Sequence, residues 1–253
     1  MRKFYIIIFV SMIFGLNCFA EPTANPASDF LYEYNFPENY TKETLSYLPP
    51  NEYDAFAFFP KGIKITKYVG KNPTVVIPES IEGYPVTIIG AEAFLGNKVI
   101  KSLFIPSTVA VIEPSAFKNC ESLIEVHMSL AYEASILGAY CIGIDSTTVN
   151  DGAFSGCSSL KTVSIDSGFR LEIGSGVFYN CKKLETITLP RNIDRSGYQK
   201  RGWSEDEWCF RNCSNLKTIN FRGEKGHPFF SDSEYFNNAI KNGLIVNYEY
   251  IEE

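Results

Sequence analysis

Histidine, methionine and tryptophan are scarce: 253 residues hold two His, three Met and two Trp. His127 and His227 leave no room for a multi-His metal site or for several His-dependent steps. No Walker loop, Gly-x-Gly-x-x-Gly, His-Glu-x-x-His or Gly-x-Ser-x-Gly occurs. Gly174-Ser175-Gly176 reads as a turn instead. A positive excess is also missing, because 23 Lys and Arg face 29 Asp and Glu for a net charge of −6. A general nucleic-acid binder would need a net basic face, so the balance argues against that class. The seven Cys contain no Cys-x-x-Cys pair, which argues against a zinc site.

Apolar residues make up 45% and aromatic residues 15%, enough for a packed core. One long apolar run stands at the start. Arg2 and Lys3 precede Phe4 to Leu16, which is apolar apart from Ser11 and Gly15. Cys18 and Ala20 then place small residues before Glu21. This is the pattern of a secretory signal over residues 1–20, too short for a comfortable membrane span. Cleavage leaves 233 residues with net charge −8 and no transmembrane segment. An uncleaved anchor and lipid attachment at Cys18 are the alternatives, although Asn17 sits where a lipobox has Gly, Ala or Ser.

A repeat fills the middle of the chain. Five segments align on Phe94, Phe117, Phe154, Phe178 and Phe210, in steps of 23, 37, 24 and 32 residues. Six residues on stand Ile100, Leu123, Leu160, Leu184 and Leu216. Nine on stand Leu103, Val126, Val163, Ile187 and Ile219, and eleven on stand Ile105, Met128, Ile165, Leu189 and Phe221. Five before stand Ile89, Ile112, Val149 and Ile173, with Glu205 the exception. The offsets predict a short strand in each unit, with the ninth and eleventh side chains inward and their neighbours outward. A single unit cannot bury its apolar face, so units stack. The two longer steps imply insertions near 129–148 and 191–205.

Units such as Ile112 to Met128 and Ile173 to Pro190 follow Ile-x-x-x-Ala-Phe-x-x-Cys-x-x-Leu-x-x-Val-x-Ile-Pro closely. This pattern resembles the BspA-type leucine-rich-repeat family, and Gly62 to Gly90 looks like that family's entry into its repeats. The resemblance implies a right-handed leucine-rich-repeat solenoid of mainly short parallel strands over 61–222. It also implies an exported or surface protein that binds other macromolecules. Departures are Asn97 in the Cys place, Glu205 in an apolar place, and both insertions.

Residues 21–60 are rich in Pro and predict an irregular N-terminal cap, sealed by Phe56, Phe58 and Phe59. Residues 223–253 predict a closing cap, with a helix from Ser231-Asp232-Ser233-Glu234 to Lys241 and a strand from Leu244 to Tyr250. Cys120, Cys157, Cys181 and Cys213 each lie three after a repeat Phe, so a shared packing position explains them better than disulfides. Cys141 has no such place.

Two surfaces are candidates for binding. The outward strand row is Phe104, His127, Ser164, Thr188 and Asn220, beside Ser102, Glu125, Thr162, Thr186 and Thr218. Repeat proteins commonly bind on such a concave strand face. The second insertion adds Tyr198, Lys200, Arg201, Trp203 and Trp208, of the types enriched at interface hot spots. Thus the expectation is a monomeric, exported, non-catalytic binding protein with no cofactor or metal, recognising a surface protein. The alternative is a glycan-binding or glycan-hydrolysing protein using Asp145, Asp151, Asp194, Glu205, Asp206 or Glu207.

Overall fold

The computed structural model describes residues 22–35, 62–130, 134–137, 152–167, 170–174, 176–195, 209–223, 225 and 234–249. The signal segment, Cys18, Cys141, His227 and Phe56 to Phe59 lie outside them.

Two sheets run the length of the stack. The first, facing outward, has seven strands: β3 (Thr74–Val76), β6 (Ser102–Ile105), β8 (Glu125–Leu130), β10 (Thr162–Ser167), β12 (Thr186–Leu189), β14 (Thr218–Phe221) and β15 (Ile245–Tyr248). All its pairs are parallel and in register, so Leu103, Val126, Val163, Ile187 and Ile219 form one buried row. Alternation does this, since neighbours in a strand point to opposite faces.

The second sheet showed in the repeat pattern only as the apolar place five before the Phe. It runs β1 (Phe30–Asn35), β2 (Gly62–Tyr68), β5 (Tyr84–Ile89), β7 (Val111–Ile112), β9 (Ala134–Leu137), β11 (Arg170–Ile173) and β13 (Ile193–Arg195), with β4 (Ser80–Ile81) beside β5. Its register corrects two expectations. Ile89, Ile112, Leu137 and Ile173 follow one another across it, then Arg195. Leu137, not Val149, therefore takes the third unit's place, and Arg195, not Glu205, takes the fifth's. Strands β8, β9 and β13 also occupy residues expected to belong to the insertions. The extra chain falls after Leu137 and after Arg195, before the turns at Phe154 and Phe210.

The third side of each unit is a turn carrying the repeat Phe. Its amide donates to the next unit's preceding carbonyl: Phe94 to Ala116, Phe117 to Ala153, Phe154 to Val177, and Phe178 to Cys209. Inside, the rings stack. Centroids are 4.6 Å apart for Phe94 and Phe117, 4.9 Å for Phe117 and Phe154, and 5.6 Å for both following pairs. Tyr68 heads the column, 5.1 Å from Phe94, and Phe30 packs on Tyr68 at 5.5 Å. Phe30 belongs to β1, a strand antiparallel to β2 within a stretch that the sequence predicts to be irregular. Pro26 and Pro37 flank this strand without entering it.

Two residues after each Phe the backbone turns left-handed. Gly96, Asn119, Gly156, Asn180 and Asn212 have φ of 64°, 58°, 74°, 61° and 62°. Gly and Asn are the residues that tolerate this region best. One place further on, the thiols are buried and free. Each donates to the Phe carbonyl of the previous unit: Cys120 to Phe94 at 3.1 Å, Cys157 to Phe117 at 3.2 Å, Cys181 to Phe154 at 3.2 Å, and Cys213 to Phe178 at 3.1 Å. Asn97 instead accepts from the amides of Val99 and Ile100, closing its own turn. A helix, α1 (Glu234–Lys241), precedes β15, and Gly243 with φ 100° makes the bend between them.

Candidate functional site

The outward face of the first sheet carries two rows of side chains. The register places Val76, Phe104, His127, Ser164, Thr188, Asn220 and Asn247 across consecutive strands. The parallel row is Thr74, Ser102, Glu125, Thr162, Thr186, Thr218 and Ile245. Five of the residues singled out from sequence are thus brought into one line.

The rows differ along their length. At the first end the imidazole of His127 lies flat on Phe104, with centroids 4.9 Å apart and planes 9° from parallel. Ser102 Oγ donates to Glu125 Oε1 at 2.7 Å, and His127 Nε2 lies 3.8 Å from Glu125 Oε2. The carboxylate therefore stands between the hydroxyl and the ring. Ser102 bonds the carboxylate rather than the imidazole, so the three do not follow the order of a Ser–His–carboxylate triad. The middle is hydroxyl-bearing. At the far end Asn247 Nδ2 donates to Asn220 Oδ1 at 2.8 Å. Arg222 pairs with Asp166, crossing the intervening unit.

Asn247, Arg222, Asp166, Val76 and Thr74 were missed by sequence reasoning. Thr74 and Val76 escaped because the unit headed by Tyr68 is two residues shorter before its strand. Tyr198 and Trp203 lie outside the described residues, as do Glu205 to Glu207. The described residues that flank them are Arg195, the last of β13, and Cys209, in the turn that carries Phe210. Among the described residues, no cluster of three or more His, Cys, Asp or Glu could hold a metal ion. No helix among them is long and apolar enough to cross a membrane.

The profile of the BspA type leucine rich repeat region matches residues 71–142 and 141–242, in six copies. The chain belongs to the BspA-type leucine-rich-repeat family. One solved leucine-rich-repeat structure agrees on the fold. The T. pallidum leucine rich repeat protein superimposes with a TM-score of 0.50 at 24% identity, over 78% of this chain and 71% of that one. A leucine rich cell surface protein from Faecalibacterium prausnitzii gives 0.45 at 22% identity, over 76% of this chain and 40% of that one. No curated protein matches the sequence. Tyr68 stacks on Phe94 and adds a member to the column of five repeat Phe rings. In this leucine-rich-repeat chain, the strand face runs from an aromatic pair at Phe104 and His127 to an amide pair at Asn220 and Asn247.

Proposed function

We propose that the chain is an exported, non-catalytic binding protein that recognises another protein through the outward face of the first sheet. One observation carries the reading: five candidate residues, Phe104 to Asn220, align across consecutive strands on a solvent-facing row. Such a row offers an aromatic pair, hydroxyls and amides at a spacing of about 4.8 Å, which suits an extended, weakly charged contact. Export rests on Arg2, Lys3 and the apolar run to Leu16. The reading is supported by family membership, since repeat solenoids commonly bind along their strand side.

The test is a binding screen of the purified protein against extracellular matrix proteins and glycans. A retained protein whose affinity falls roughly tenfold with Phe104→Ala or Thr188→Lys is expected. If every retained ligand is unaffected by both substitutions, the strand face is not the binding surface. If only glycans are retained, the protein-partner reading is wrong. N-terminal sequencing of exported material is expected to begin at Glu21, and an intact Met1 terminus would refute cleavage there.

A further inference from the structure

We infer that the Phe104–His127 stack and the Glu125 carboxylate form an anchor subsite for a guanidinium, an arginine side chain of a protein partner. This rests on the reading that the strand face takes a protein. Ser102, Glu125, Phe104 and His127 form a rectangle on β6 and β8, with Ser102 opposite Glu125 and Phe104 opposite His127. The polar partners of Glu125 are Ser102 and His127, so no lysine or arginine among the described residues neutralises it. Its side chain is 40% exposed and that of His127 46%. A carboxylate held in place but left open to solvent favours a cation.

The shape beside it selects which cation. Phe104 covers one face of the imidazole. On the other side β10 places Ser164 opposite His127 and Thr162 opposite Glu125, and neither bears a ring. The aromatic stack therefore stops at His127 and leaves a notch one strand spacing wide, about 4.8 Å. A flat group can lie on the second face of the imidazole, above Ser164, and point an edge toward Glu125 Oε2. Guanidinium does both, because it is planar, stacks on aromatic faces and donates through a fork to a carboxylate. An ammonium can meet the charge but cannot fill the notch. A neutral ring can stack but leaves the carboxylate unmatched. Asp166, further along β10, is already held by Arg222 and does not compete.

The experiment follows the His127 ring protons by NMR in the purified protein while Nα-acetyl-arginine amide is added. The matching lysine and citrulline amides are the comparators. Arginine amide is expected to shift these signals, with half-saturation roughly tenfold lower than for either comparator. Glu125→Gln is expected to remove that preference. Ser164→Tyr, which fills the notch and keeps the carboxylate, is expected to block binding with an unchanged unfolding midpoint. Equal shifts from citrulline amide, or undiminished binding in Ser164→Tyr, would overturn the subsite. A captured protein whose binding falls with Thr188→Lys but not with Glu125→Gln would also overturn it, leaving the strand-face reading intact. Arginine amide binding with no protein ever retained would instead sink the proposed function.

Discussion

The thiol of Cys157 points across a repeat boundary and donates to the carbonyl of Phe117, 3.2 Å away. This contact recurs in four units, so each turn is tied to the one before it by a side chain as well as by amides.

The thiols should resist chemistry while the fold lasts. Burial pushes those of Cys157, Cys181 and Cys213 up, and contact with Cys157 followed by burial pushes Cys120 up. Iodoacetamide is therefore expected to modify these four only after denaturant is added. Rapid native labelling, read by mass spectrometry, would contradict this.

The same shifts set a pH dependence. A raised folded-state pKa stabilises the fold fully below the ordinary thiol value and stops doing so as pH rises above it. Stability is thus expected to fall above about pH 8.5, by about 1.4 kcal/mol per buried thiol for each further pH unit. Cys157→Ser should reduce that slope by one thiol's share. A slope equal to that of the parent in denaturant titrations at two alkaline pH values would refute it.

Backbone geometry separates two kinds of glycine. Gly96 has φ 64° and open space where a Cβ would stand, so Gly96→Ala is expected to cost about 1–2 kcal/mol from the left-handed backbone alone. Gly96→Asn should cost less, because Asn119, Asn180 and Asn212 already fill that place. At Gly152 a Cβ would lie 2.6 Å from Cα of Val177 and collide with the Gly176 carbonyl. Gly152→Ala should therefore be clearly worse than Gly96→Ala in chemical denaturation. The reverse order would show that the neighbouring unit yields easily.

Tyr34 donates to the carboxylate of Glu82, and that bond pushes its phenol up to about 12. Glu82→Gln is expected to bring the phenol back toward about 10. Ultraviolet titration would detect it, and an unmoved transition would reject the bond in solution.

Much of this was legible in the chain because burial leaves a strong mark. Leu103, Val126 and Val163 share an offset since each must face the same dry interior. The second sheet left a thinner trace, the apolar place at Ile89, Ile112 and Ile173, because its strands are short and β7 is only Val111–Ile112. Offsets counted back from Phe154 and Phe210 failed because the inserted residues lie between the second-sheet strand and the Phe. Tyr68 was hidden by a change of ring and a shorter approach to its strand. On the strand face, alternation alone placed Phe104 beside His127, but the bond from Ser102 to Glu125 needed the register. The Arg222–Asp166 pair needed more, since it skips a unit.

Strands that lie across the long axis give the molecule an unusual response to load. Tension drawn between Phe30 and Tyr248 acts along the inter-strand hydrogen bonds and across ring contacts 4.6–5.6 Å apart, one layer after another. Such a body should lengthen in successive increments, each releasing one repeat, and single-molecule pulling should record a staircase of small events. A single rupture of the whole chain would show that the layers are mechanically inseparable. A body that yields stepwise dissipates work over distance instead of failing at one load.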